Sequence, residues 1–190
     1  MEKNKENYLE IHVGISTHAK WFLELKRKMK EIDVDCKEKR FHITAIFMND
    51  DSRKDELRNA FSRLLIHRYS PVLTFNKLDV FTNRSGTEHI VNLTSTSPEK
   101  EFQELVESLR QEASRLGIEM EPYRLHVTLA KVPVGKIALE ELQKKIAGIN
   151  FRKFRLALTT IEYRYKMRDL EKGYISGWKS DKTNKPFNLI

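Results

Sequence analysis

Apolar and polar positions alternate along this chain in two rhythms, one of period two and one near 3.6, and the switches between them mark its elements. Tyr8 to Ser16 alternates strictly. That predicts a strand with Leu9, Ile11, Val13 and Ile15 toward a core and Glu10, His12 and Ser16 on the opposite face. Thr17 suits the cap of a helix reaching about residue 32, in which Trp21, Phe22, Leu25 and Met29 recur beneath a basic outer face. A second helix is expected over 53–67, with Leu57, Phe61, Leu64 and Leu65 inside. A strand over 72–81 and its partner over 88–94 read as a hairpin, joined by the turn residues Asn83-Arg84-Ser85-Gly86. Ser97-Pro98 opens a third helix that Gly117 ends, and a short fourth helix spans 137–147 up to Gly148. Phe151 to Met167 is a long β segment whose alternation slips at Thr159-Thr160, which predicts a bulge or two consecutive strands. A closing strand at 174–178 precedes a polar tail, 180–190, that is expected to fray. The order is β-α-β-α-β-β-α-β-α-β-β.

Two further strands in this order carry one repeated pattern. Arg40-Phe41-His42-Ile43-Thr44-Ala45 and Arg124-Leu125-His126-Val127-Thr128-Leu129 both read Arg, apolar, His, apolar, Thr, apolar, 84 residues apart. Because side chains i and i+2 share a strand face, Arg40, His42 and Thr44 point one way and Phe41, Ile43, Ala45 and Phe47 the other. The second copy sorts in the same manner. With six His in the chain, chance supplies only about 0.35 His-x-Thr matches in all, so the pair carries weight that a single copy lacks. One such histidine alone is most simply a half-buried strand residue bonded to a neighbour. A unit of strand, helix, motif strand and helix recurs in each half, with strand 8–16 before the first motif and 88–94 before the second. Two units related by a pseudo-twofold axis would bring the motif strands face to face across a groove.

Composition narrows what the groove could meet. The 190 residues, 39% hydrophobic and 33% charged, fit one domain over 1–190, expected to work as a monomer. No apolar run approaches the ~20 residues that span a bilayer, and residues 1–7 lack the apolar stretch of a secretory signal, so neither a membrane span nor secretion is expected. Cys36 is the only cysteine, so no internal disulfide forms and a cytoplasmic, reducing location is expected. No CxxC, HExxH or acidic calcium loop appears, and neither metal nor cofactor is expected. The net charge of +8 concentrates toward the C-terminus, where residues 151–190 hold ten basic and four acidic groups. Such a surface attracts polyanions, RNA among them, without proving that it binds any.

The paired motifs, with this order of elements over about residues 8–179, resemble the two-histidine (2H) phosphoesterase superfamily, which includes 2′-5′ RNA ligase-like proteins and cyclic phosphodiesterases. The resemblance implies an α+β, bilobal fold of two pseudo-symmetric lobes of antiparallel sheet with flanking helices around a central cleft. It implies a metal-independent phosphodiesterase in which His42, Thr44, His126 and Thr128 surround the scissile phosphate. Implied substrates are RNA ends, oligonucleotides or nucleotides with 2′,3′-cyclic or 2′-5′ phosphodiesters, and ligation is the reverse reaction. Arg40 and Arg124 are not a fixed part of the family pattern; they either add charge to the site or pair at strand ends.

The chemistry stands without the resemblance. Metal-free cleavage needs a base for the attacking oxygen and an acid for the leaving one, and two imidazoles with ordinary values near ~6.5 supply both. Threonine hydroxyls can donate to the non-bridging oxygens. Tyr163, Tyr165 and Trp178, set among basic residues, are candidates for stacking a base, against the ordinary core role of strand aromatics. Two other readings remain open: a phosphodiesterase of small cyclic nucleotides or nucleotide-derived phosphodiesters, and a basic RNA-binding module without catalysis.

Overall fold

Two antiparallel sheets and four α-helices make up the described residues of the computed structural model, which covers 4–14, 19–36, 40–48, 52–65, 69–169, 174–180 and 187–188. For residues 4–8, 12, 165–169, 174–180 and 187–188 it describes the backbone alone. The larger sheet runs β2-β1-β7-β3, with β1 at Asn4–Val13, β2 at His42–Met48, β3 at Val72–Phe75 and β7 at Phe154–Asp169. Two more strands, β8 (Tyr174–Ser180) and β9 (Phe187–Asn188), also pair with β7, so the tail expected to fray contains a short strand. The smaller sheet runs β4-β5-β6, at Lys77–Thr82, Glu88–Thr94 and Val127–Pro133. Each sheet thus carries the threonine of one His-x-Thr motif on an edge strand; His42 opens β2, and His126 stands one residue ahead of β6. The helices are α1 (Lys20–Glu31), α2 (Lys54–Leu64), α3 (Lys100–Arg115) and α4 (Leu139–Ala147). Thr17, expected as the cap of α1, and Ile15 lie outside the described residues, as do His18 and His67.

Three departures from simple alternation shape the sheets. The stretch expected as one strand over 72–81 divides at Asn76: β3 joins β7 in one sheet, and β4 joins β5 in the other. Asn76 leaves the ladder by bonding outward. Its side-chain NH2 donates to Thr96 Oγ1 at 2.9 Å, and its side-chain oxygen accepts from the Thr96 N–H at 2.9 Å. The buried positions change parity there, from Leu73 and Phe75 to Val80. In β7 the slip near Thr159 is a bulge within a continuous strand, since His12 pairs with Thr160 and Val13 with Leu158.

The third departure occurs twice. Leu9 pairs with Ile46 and Glu10 with Thr44, leaving Ala45 as an extra residue; Val91 pairs with Ala130 and Asn92 with Thr128, leaving Leu129. Each motif threonine is therefore followed at once by a bulge. The bulge reverses the facing downstream: Ala45 and Ile46 are both buried, as are Leu129 and Ala130. Phe47, expected in the core, consequently falls on the partly exposed side, while Ile46 and Met48 take core positions.

The core lies between the helices and the apolar sheet faces. Leu9, Ile11, Ile43, Leu158 and Ile161 of the larger sheet are fully buried, as are Met29 of α1, Leu57 and Phe61 of α2 and Leu109 of α3. Each such side chain contributes about 1.5–3 kcal/mol by leaving water. α3 is fastened at both ends. The backbone N–H of Thr74 donates to Glu99 Oε2 at 2.9 Å before its first turn, and Arg53 Nη1 donates to the Leu116 carbonyl at 2.6 Å after its last. Gly117 then closes the helix at φ 70, in the left-handed region open to glycine. His89, the second residue of β5, is 3% exposed. Its Nε2–H donates to the Ile137 carbonyl at 3.1 Å and its Nδ1 accepts from the Thr82 hydroxyl at 3.0 Å, a satisfied structural histidine. Among the described residues, no helix is long and apolar enough to cross a membrane.

Candidate active site

The two sheets present matching rows of side chains. In the larger sheet, Thr44 of β2 pairs with Glu10 of β1, which pairs with Glu162 of β7. In the smaller sheet, Thr128 of β6 pairs with Asn92 of β5, which pairs with Asp79 of β4. Residues opposite one another in a ladder share a face, so each threonine heads a row of two further polar residues. The middle residue is buried in both, Glu10 at 0% and Asn92 at 1% exposure. The arginines complete the correspondence. Arg40 Nη2 donates to Glu162 Oε2 at 2.9 Å, and Arg124 Nη2 lies 3.5 Å from Asp79 Oδ2. Both arginines are half exposed, and the pairs contribute at most about 1 kcal/mol each. Their main effect is to spend the arginine charge on the protein's own carboxylates.

The histidines differ in what stands behind them. His126 donates from Nδ1 to the carbonyl of Arg124 at 2.9 Å. A carbonyl only accepts, so Nδ1 carries the hydrogen and the neutral ring keeps its lone pair on Nε2. The ring also meets Phe81 edge to face at a centroid separation of 5.1 Å, and the Arg124 guanidinium lies 3.8 Å over the same Phe81 ring. Burial pushes His126 below the ordinary imidazole value; the hydrogen bond to Arg124 opposes this, and the charges of His42 and Arg124 add to it. His42 has a carboxylate instead, with its Nε2 3.5 Å from Glu10 Oε1. The other carboxylate oxygen accepts from Arg164 Nη1 at 3.4 Å. Burial raises the Glu10 carboxyl above its usual range, and Arg164 draws it back.

Strands β2 and β6 come together at their edges, although they belong to different sheets. The segment leading into the second motif docks on the first, for the Glu121 N–H donates to the Phe47 carbonyl at 3.0 Å. Arg110 of α3 clamps the junction, donating to the carbonyls of Ala45 at 3.1 Å and Glu121 at 3.0 Å. A cavity of about 250 Å³ opens at this junction, lined by Thr44 and Phe47 from one side and Arg124 and His126 from the other, with Arg110 and Tyr123 between. His42 and Thr128 are not among its lining residues, and His42 is felt there through its charge on His126.

The aromatic candidates fare differently. Tyr163 is 3% exposed and belongs to the core, because the Thr159 bulge turns it to the side of Ile161 and its cross-strand partner Leu9. It is withdrawn as a base-stacking residue. The side chains of Tyr165 and Trp178 lie outside the described residues. Sequence reading missed Glu10, Arg164, Arg110 and Phe81. A glutamate between Leu9 and Ile11, two residues from His12, was the one signal available. Among the described residues, no group of three or more His, Cys, Asp or Glu side chains is placed to hold a metal ion.

Comparison with known proteins bears on this arrangement. Residues 19–163 match the family described as the 2′-5′ RNA ligase superfamily. Escherichia coli LigT complexed with 3′-AMP superposes with a TM-score of 0.57 at 18% identity, covering 99% of both chains. Kluyveromyces marxianus Usb1 with uridine monophosphate gives a TM-score of 0.58 at 11% identity, covering 97% of this chain and 98% of that one. A structure described as a phosphoesterase gives 0.53 at 15% identity over 97% and 98%. At these identities the likeness is one of fold. No curated protein matches the sequence.

Proposed function

We propose, given that this chain belongs to the 2′-5′ RNA ligase superfamily of 2H phosphoesterases, that it is a metal-independent phosphodiesterase in which His42 and His126 exchange protons with the two ester oxygens. The single observation that carries the reading is that Thr44 of the first motif and His126 of the second, far apart in sequence, line one cavity. Two pseudo-symmetric lobes sharing that cleft would place one imidazole on each side of a phosphate. Thr44 and Thr128 would donate hydroxyl hydrogen bonds to its non-bridging oxygens. Arg40 and Arg124, already paired with Glu162 and Asp79, would position the motif strands more than they bind phosphate. The substrates would be 2′,3′-cyclic or 2′-5′ phosphodiesters of RNA or oligonucleotides. The nucleotides held by LigT and Usb1 suit that class.

The test is a product screen in excess EDTA with 2′,3′-cyclic, 2′-5′ and 3′-5′ substrates, resolving 2′- from 3′-phosphate ends. Turnover is expected to persist in chelator. His42→Ala and His126→Ala should each cost about 10²–10⁴-fold, and Thr44→Ala and Thr128→Ala less. Activity lost in EDTA and restored by a divalent ion would overturn the mechanism. Tight binding of RNA that survives both histidine changes, with no product from any substrate, would point to a binding module instead.

A further inference from the structure

The matching rows differ at one chemically decisive position. Behind Thr128 the buried middle residue is the amide Asn92, whose NH2 donates to the carbonyls of Asp79 at 3.0 Å and Ile90 at 3.2 Å. Behind Thr44 it is the carboxyl Glu10, which faces an imidazole. An amide bonded to backbone cannot bias a proton; a carboxylate 3.5 Å from a ring nitrogen can. We propose that Glu10 is a positioning residue that keeps the His42 imidazole protonated, so that His42 gives a proton to the leaving oxygen while His126 takes one from the attacking water. The assignment rests on the phosphodiesterase reading above and adds to it a direction for the protons.

The described neighbours of Glu10 fit this role. On β2 and its approach stand His42 and Arg40, and on β7 stand Glu162 and Arg164. Arg40 is paired with Glu162, so those two charges largely offset each other at Glu10. Arg164 and His42 then address its two different oxygens. The carboxylate is sequestered, with its side chain 1% exposed, whereas His42 retains 27%. Water therefore screens their attraction poorly on one side, while the ring still reaches the cleft. His42 Nε2 lies 3.5 Å from Glu10 Oε1, so the carboxylate acts on the ring through its charge. On the other side His126 holds its Nδ1 hydrogen on the Arg124 carbonyl and offers Nε2 as an acceptor, in a ring whose charged form burial disfavours.

The proton movements balance. Water attacks phosphorus and passes a proton to His126 Nε2 as the new P–O bond forms. The P–O bond to the ribose oxygen breaks, and that oxygen receives the His42 proton. His126 then returns a proton to solvent and His42 recovers one, with Glu10 drawing it back.

Glu10→Gln tests this with shape conserved and charge removed. In the wild-type protein the falling limb of the kcat/KM profile should belong to His42 and the rising limb to His126. In Glu10→Gln the falling limb should move to lower pH by roughly one pH unit or more, with kcat down about tenfold and KM within about twofold. The His42 ring titration, followed by NMR without substrate and assigned by its loss in His42→Ala, should move with it, and that of His126 should stay. Glu10→Asp, which withdraws the carboxylate by one methylene, should shift His42 less in the same direction, and it serves if the Gln variant does not fold. A folded variant in which the His42 titration is unmoved, or in which His126 moves instead, overturns the proposal. Because that titration is read without turnover, it decides the role of Glu10 even if the substrate screen fails.

Discussion

At the scale of single residues, His126 couples protonation to folding. Its burial holds the folded-state value below 6.5, the ordinary imidazole value, so as pH falls through 6.5 the unfolded chain takes up the proton first. Stability is then lost progressively, until the folded-state value is passed and the loss is complete. Glu10 runs the other way. Raised above 4.5 in the folded state, it favours folding at low pH and loses that contribution as pH rises through its folded-state value. The two are separated by substitution. Urea unfolding at pH 7.5 and pH 5.5 should show a smaller decline in His126→Asn than in the wild-type protein, and an equal decline would show that His126 is as readily protonated folded as unfolded. The same residues mark the boundary of what could be read in advance. His42, Thr44, His126 and Thr128 were legible because a repeated pattern on alternating strands is improbable by chance. The burial of Glu10 was not. It depends on β1 lying between β2 and β7, and β7 comes about 150 residues later in the chain.

Among elements, the helices announced themselves and the strands did so only in part. Helical faces are set by local spacing, and α1, α2, α3 and α4 lie where the apolar stripes put them, with ends shifted by a few residues. Strand partners are a non-local matter, which is why one alternating stretch over 72–81 concealed two strands of different sheets. The change of parity at Asn76 was present in the sequence, yet a polar residue at a strand centre carries no label for which ladder it leaves. Tyr163 was misplaced for a related reason: the slip at Thr159-Thr160 was legible, but the choice between a bulge and a break, and with it the side to which Tyr163 turns, is made by pairing with β1. The buried Asn92 supports the smaller sheet through its two bonds to backbone carbonyls. Asn92→Ala removes both and leaves the carbonyl of Ile90 without this donor, so a loss of about 1–3 kcal/mol is expected in urea unfolding. A loss near zero would mean that water replaces the amide at no cost.

On the scale of the whole molecule, charge and architecture make separate demands on a substrate. The formal charge of +8 attracts a long anion more than a short one, because each added phosphate releases further counterions. Arg40 and Arg124 are engaged within the protein, which leaves this attraction to the remaining basic surface. With an oligonucleotide substrate, KM is expected to rise steeply between 50 and 200 mM salt, while with a cyclic mononucleotide it should change little. Equal salt dependence for the two would indicate that only the phosphate at the cleft is sensed, and would favour a small nucleotide as the substrate.

The paired bulges have a consequence for how such a chain can vary. A strand is read two residues at a time, inward and outward, and Ala45 and Leu129 each act as a one-residue shift of that frame. Upstream of the shift the frame assigns His and Thr to the outward side; downstream it assigns Ile46 and Met48, or Ala130 and Val132, to the interior. Deleting either residue would leave every chemical group in the chain and misassign one segment, exposing the apolar residues beyond it or burying the histidine before it. These two sites accept substitution by another small or apolar residue far more readily than a change in length, and the same one-letter shift is written into both halves at the same step after the threonine.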